Sequence, residues 1–213
     1  MPKFIRRSLL LVDMANMSLS EDVLGAKSDA LILDWETMPL ERQSTVAGSD
    51  MLSVLSAARK HAAEPFVRLR HDTVHKGLET AVWPGLVGVF LTNVEHAEEV
   101  EEASKHLAEL ERHRGIPMDS LQIIVEIGTA MGVWNSLDIA RGSARLAGLS
   151  VGETSLCRDL HLDIEARLDR DPLRFIKAQI IVNARAAGIE AQGMSYPLSI
   201  TLEQAANSAL DRA

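Results

Sequence analysis

Seven short apolar runs, each bounded by turn-forming or charged residues, recur at 8–12, 30–33, 65–69, 86–91, 121–127, 146–151 and 189–191. Continuous apolar runs of this length suit strands buried on both faces. Between them lie segments with helical periodicity at 20–27, 45–63, 75–82, 96–114, 133–141 and 173–187. A strand followed by a helix, repeated, returns the chain to the same end each time and so builds a parallel sheet. The punctuation agrees with these boundaries. Ser20 precedes an acidic first turn, Asp171-Pro172 opens a helix that Gly188 closes, and Gly115 ends the helix that begins near His96. The stretch 202–210 reads as a final helix.

The 213 residues, 46% of them hydrophobic, can fill one sizeable core, so a single α/β domain over 1–213 is expected. A formal charge of −8 disfavours nucleic acid and anionic membranes as partners, since both would repel the chain. No run approaches the roughly 20 apolar residues of a membrane-spanning helix. The lone Cys157 has no internal disulfide partner, and the basic-then-apolar start lacks a small-residue cleavage site, so a cytoplasmic location is expected. Glu98, Glu99, Glu101, Glu102, Glu109 and Glu111 read as a solvated helix face supported by pairs such as Glu101 with Lys105.

Seven alternating strands fit either a doubly wound sheet or most of an eight-stranded barrel. Neither a Gly-x-Gly-x-x-Gly turn nor a Walker loop follows any strand, so the nucleotide-binding open sheet lacks its fingerprint. His71 and His75, four apart, read as a surface pair rather than a zinc site, because no further ligand accompanies them. Trp35, Trp83 and Trp134 read as core or contact residues.

Several motifs together break the tie. Arg6-Arg7-Ser8-x-Leu10 stands on the first strand, Asp29-Ala30-Leu31-Ile32-Leu33-Asp34-Trp35-Glu36 on the second, and Val67-Arg68-Leu69 on the third. Ala97-Glu98-Glu99-Val100 follows the fourth, Thr129-Ala130-Met131-Gly132 the fifth, and Ala184-Arg185-Ala186-Ala187-Gly188 precedes the seventh. With these, the chain from Arg6 to about Met194 resembles the citrate lyase beta-subunit group and the related citryl- and malyl-CoA lyases and hydroxy-acid aldolases. The resemblance implies a TIM-type (β/α)8-like barrel with its ligand site at the carboxyl ends of the strands. It also implies a carbon–carbon lyase acting on a CoA thioester or a small hydroxy or oxo acid. A magnesium ion would be held by a glutamate after strand five and an aspartate after strand six, and an arginine on strand three would grip a carboxylate.

Arg68 falls on that arginine position, with Arg7 as a second candidate cation, and Asp34 and Glu36 fall on an acidic signature after strand two, as candidate catalytic carboxylates. The family has a further aspartate where this chain has Thr37. The metal positions depart more: Gly128 stands in place of the glutamate and Ser155 in place of the aspartate. Thr92-Asn93 replaces a proline-lysine pair, and Asp13-Met14 a proline-glycine turn. Glu126 and Glu153, each two residues earlier than a lost ligand, are the candidate substitutes, although a reach of roughly 6–7 Å along the strand disfavours the original metal position. A buried Glu126 needs a partner, and Arg68 or Arg7 could supply it.

The family continues into an eighth strand and a helical extension, whereas this sequence stops at Ala213, so the expected barrel is cut short before that strand. Its open edges call for a cover, and a homo-oligomer is the expectation. Two functional classes stay open: a lyase, or a non-catalytic ligand-binding or regulatory subunit of the same fold that pairs with an active paralogue.

Overall fold

A computed structural model describes residues 6–14, 23, 26–36, 38, 40–43, 46–162 and 171–193. Seven strands stand side by side in chain order: β1 (Leu9–Asp13), β2 (Ala30–Asp34), β3 (Glu64–Arg70), β4 (Gly88–Thr92), β5 (Gln122–Ile127), β6 (Leu146–Val151) and β7 (Glu190–Ala191). Every neighbouring pair is parallel. The helices are α1 (Leu40–Gln43), α2 (Gly48–Lys60), α3 (Val74–Ala81) after a 3-10 turn at His71–Thr73, α4 (Ala97–Arg114), α5 (Ala130–Trp134), α6 (Ser136–Ile139), α7 (Glu153–Asp159) and α8 (Arg174–Ala186). The helix expected at 20–27 falls mostly outside the described residues, and Thr37 and the helix expected at 202–210 fall wholly outside them. Among the described residues no helix is long and apolar enough to cross a membrane.

The period of two along each strand divides the core in two. Leu31, Leu33, Val67, Val89, Leu91, Ile123 and Val125 belong to the large buried cluster that also takes in the apolar faces of the helices. Their alternates Ala30, Ile32, Phe66, Phe90 and Ile124 form a separate small cluster. That second cluster is the filling of a curled sheet. Seven strands laid flat at a spacing of about 4.8 Å would put β1 and β7 roughly 29 Å apart. Yet Arg6, just before β1, lies 3.7 Å from Glu190 on β7, and its guanidinium also reaches Glu64 on β3 at 2.5 Å and Gln122 on β5 at 2.9 Å. It stacks over the Phe66 ring, 4.9 Å from the centroid. One side chain touching alternate strands from the first to the seventh requires the sheet to wrap around it, as side-chain layers do in a parallel barrel.

Three details of the helices differ from the sequence expectation. The segment 133–141 breaks into α5 and α6, because Asn135 leaves the helix to donate from Nδ2 to the carbonyl of Glu95 at 2.8 Å. Neither the short α1 nor α7 was expected, although the buried Glu153, Leu156 and Cys157 of α7 have helical spacing. Nor is the acidic face of α4 uniformly solvated. Glu101 is exposed and lies 3.8 Å from Lys105, but Glu111 is wholly buried and Glu99 accepts from the backbone N–H of Glu95 and His96.

Candidate functional site

The residues two positions beyond the small interior cluster point the same way as it does, and they lie at the carboxyl ends of the strands. Beyond Ile32, Phe66, Phe90 and Ile124 these are Asp34, Arg68, Thr92 and Glu126. A parallel barrel thus delivers polar side chains from four strands to one mouth.

Arg68 is the centre of that mouth. Glu126 takes it in a two-pronged grip, Nη2 to Oε1 at 2.7 Å and Nε to Oε2 at 3.1 Å. Its Nη1 donates to Asp34 Oδ1 at 3.3 Å and lies 2.5 Å from Glu36 Oε2. Three carboxylates therefore converge on one guanidinium, with side chains 12% exposed for Arg68, 8% for Asp34, 19% for Glu36 and 4% for Glu126. Backbone contacts fix the acidic turn: Glu36 N–H donates to Asp34 Oδ1 at 3.1 Å, and Trp35 N–H donates to the Arg68 carbonyl at 3.0 Å. Thr92 adds a hydroxyl that donates to Glu36 Oε2 at 3.3 Å.

The electrostatics follow from burial. Loss of water raises the Asp34 and Glu36 carboxyls above their ordinary values; Arg68 pulls both back down, and the charge of Glu126 pushes both up again. Burial works against the charge of Arg68, but its bonds to Glu126 and the charges of Glu126, Glu36 and Asp34 outweigh it and hold the guanidinium above its usual value. A mouth with two carboxyls inclined to keep a proton, beside a permanent cation, can exchange protons with a ligand and stabilise negative charge on it.

Arg7 is not part of this arrangement. It stands before β1, at the opposite end of the barrel, with its side chain 81% exposed and 3.7 Å from Asp29. The partner of Glu126 is Arg68. Glu153, at the start of α7, is buried and lies 3.2 Å from Lys177 of α8, which in turn lies 2.5 Å from Asp171. His71 and His75 each face a different glutamate of α4, Glu99 at 3.4 Å and Glu102 at 2.8 Å.

The positions that the resemblance makes metal ligands do not fit a magnesium ion. A Cβ built on Gly128 would meet Asn93 Oδ1 at 2.8 Å and Ser155 Cβ at 3.0 Å, so the space where a glutamate would begin is already occupied. Asn93 adopts φ +57°, a left-handed conformation that asparagine tolerates better than most residues. The donors present there are a neutral amide and a neutral hydroxyl, poor exchanges for two carboxylates around a hard divalent cation. Among the described residues, no group of three His, Cys, Asp or Glu side chains is disposed to hold a metal.

Gly152, which sequence reasoning did not single out, shapes the mouth. A Cβ there would lie 2.7 Å from Glu126 Oε1 and 3.2 Å from its Cγ, so the missing side chain gives Glu126 room to lie against the end of β6 and reach Arg68. Glycine at a strand end is the only sequence signal for such a close approach.

Comparison with known proteins agrees with this architecture. Residues 7–209 match the family model described as HpcH/HpaI aldolase/citrate lyase. Citrate lyase subunit beta of Escherichia coli (strain K12) is 28% identical over 198 residues, covering 90% of this chain and 64% of that protein. The Haemophilus influenzae citrate lyase subunit beta is 26% identical over 199 residues, covering 90% of this chain and 66% of that protein. The chain thus spans just under two thirds of the length of these relatives. Among solved structures, citrate synthase SbnG superposes with a TM-score of 0.68 at 18% identity, covering 96% of this chain and 82% of that one. Protein CitE from Mycobacterium tuberculosis, in complex with magnesium and pyruvate, does so with a TM-score of 0.66 at 22% identity, covering 95% and 79%. These likenesses share the fold.

Proposed function

The chain belongs to the HpcH/HpaI aldolase/citrate lyase family, and from that premise we propose a lyase of the citrate lyase beta-subunit kind that takes a CoA thioester or small hydroxy or oxo acid in the mouth around Arg68. One observation carries the reading: a buried arginine at the carboxyl end of the barrel, flanked by Asp34 and Glu36, whose carboxyls are biased toward holding a proton. In cleavage of a hydroxy acid, Asp34 or Glu36 takes the hydroxyl proton. The carbon–carbon bond then breaks with its electron pair passing to an enolate, and the enolate carbon takes a proton. Arg68 faces the developing negative charge. Magnesium is bound in the CitE complexes, but Gly128 and Ser155 offer it no carboxylate here, so no step is assigned to a metal.

A second reading, a non-catalytic ligand-binding or regulatory subunit that pairs with an active paralogue, is favoured by the filled space at Gly128. The two separate in one assay. Release of acetyl-CoA or pyruvate from a panel of CoA thioesters and hydroxy acids, with and without magnesium, supports the lyase, and its loss in Arg68→Ala places the reaction in this mouth. Absence of turnover, combined with thermal stabilisation by the same compounds, supports the binding subunit. Absence of both would overturn the proposed site.

The protein is further proposed to be a cytoplasmic homo-oligomer. Support for assembly comes from the described edges and surface: the outer edges of β1 and β7 have no strand partner among the described residues, and Trp134, Phe175, Ile181 and Val182 are exposed.

A further inference from the structure

We infer that Asn93 and Ser155 form a neutral oxygen-binding subsite at the rim of the mouth, where they hold the hydroxyl or oxo oxygen of a small carboxylic acid directly, without a metal. The inference rests on the mouth being the ligand site proposed above.

Successive residues of a strand point to opposite faces, so Asn93, next after the inward Thr92, would turn away from the barrel interior if the strand simply continued. It does not. Thr92 donates to Glu36 Oε2 inside the mouth, and the left-handed backbone of Asn93, φ +57°, brings the following side chain back over the same opening. There Asn93 Oδ1 lies 2.8 Å from the point where a Cβ on Gly128 would stand, and Ser155 brings its Cβ to 3.0 Å and its Oγ to 3.7 Å of that point. Gly128 is two residues beyond Glu126 and so faces the same way, one layer further out. An amide from the end of β4 and a hydroxyl from the first turn of α7 thus flank a single place above Glu126. Both residues are half-buried, and neither side chain has a hydrogen-bond partner among the described residues. Their neighbours are engaged: Asp34, Glu36, Thr92 and Glu126 hold Arg68 or one another, and Thr129 Oγ1 accepts from Gly132 N–H at 3.0 Å. Two neutral groups give a divalent cation no charge to bind to, but they suit an oxygen of a ligand. A ligand hydroxyl donates to Asn93 Oδ1 and accepts from Ser155 Oγ. An oxo group, which only accepts, is met by Ser155 and, with the amide turned over, by Asn93 Nδ2. An acid that lacks this oxygen covers the pair and leaves it unmet, and that loss is the source of discrimination.

Pairs of acids that differ by one hydroxyl test this at equilibrium. Malate is titrated against succinate, and lactate against propionate, by calorimetry with EDTA in excess. The unaltered chain is expected to bind the hydroxy acid of at least one pair at least about tenfold more tightly than its partner, the worth of two neutral hydrogen bonds. Magnesium in place of EDTA should leave the affinities within about twofold, since no charged group awaits it at this point. Ser155→Ala and Asn93→Gly, the second of which keeps the left-handed turn without strain, should each cut the preference to about threefold or less while the affinity for succinate and propionate holds. Ser155→Thr retains the hydroxyl and should retain the preference, and thermal melts of all three variants check that the fold is kept. Equal binding of both members of each pair by the unaltered chain would overturn the inference, as would a preference that survives Asn93→Gly/Ser155→Ala or that arises only with magnesium; in each case the mouth stands as a ligand site. Binding of none of the four acids would overturn the site and the inference together. Because the readout is equilibrium binding, its failure is distinct from failure of the lyase assay.

Discussion

At the scale of single residues, the mouth is governed by the competition between burial and pairing. Asp34 and Glu36 bind their protons more tightly in the folded chain than in the unfolded one, because desolvation outweighs the pull of Arg68. For a carboxyl raised in this way, the stabilising contribution is present below the ordinary carboxylate range and is lost as pH rises through the raised value. The unaltered protein should therefore gain melting temperature relative to Asp34→Asn/Glu36→Gln as pH falls through the raised values toward the ordinary carboxylate range. Calorimetry of the two proteins side by side measures this, and a gap that stays constant with pH would refute it. The apolar runs put strands two and three at Asp34 and Arg68, and the resemblance marked these two and Glu36 as site candidates. The sequence could not assign Glu126 to Arg68 rather than Arg7. That choice depends on which end of the barrel each arginine occupies, and Arg7 stands at the wrong end.

At the scale of elements, one glutamate joins a helix to two strands. Glu111, near the end of α4, accepts the backbone N–H groups of Asp119, Ser120 and Leu121 at 2.9, 3.0 and 2.9 Å. Arg145, just before β6, grips the same carboxylate at 2.8 and 2.7 Å. Burial alone would raise this carboxyl, but Arg145 and the backbone donors bring it below its ordinary value. Its contribution to stability is thus present above the ordinary carboxylate range and is lost as pH falls through the lowered value, opposite in sign to Asp34 and Glu36. Glu111→Ala, which leaves three N–H groups unsatisfied and Arg145 with only Asp119 and the Leu121 carbonyl as partners, should cost about 3 kcal/mol in urea unfolding. A loss below about 1 kcal/mol would mean that water replaces the carboxylate without penalty. From the sequence this residue was one glutamate among six, and its charge pattern pointed outward. Only the turn that brings 119–121 back beneath α4 gives it a buried partner set.

At the scale of the whole molecule, curvature and edges decide behaviour in solution. Arg6 draws the ends of β1, β3, β5 and β7 around one guanidinium, so the amino end of the barrel is tied although β1 and β7 do not pair among the described residues. Among the described residues the outer edges of β1 and β7 have no strand partner, and α8 presents Phe175 at 78% and Val182 at 64% exposure, one face of a helix at a spacing of seven. Light scattering over a range of concentrations should give a mass that is a multiple of 23.3 kDa. Phe175→Arg/Val182→Lys should shift it toward the monomer. A monomer at every concentration would exclude the assembly.

The sequence by itself determined the order of the seven strands and their parallel arrangement, because apolar periodicity and chain reversal are local properties. It also showed that two strand tips lack acidic side chains, since identity at Gly128 and Ser155 needs no coordinates. Tertiary structure alone decided what fills those tips and what the carboxylates of the mouth hold. Asn93 at Gly128, Gly152 beneath Glu126, and three acids on Arg68 are contacts between segments distant in sequence. Their energies depend on distance and burial, which exist only once the sheet has curled.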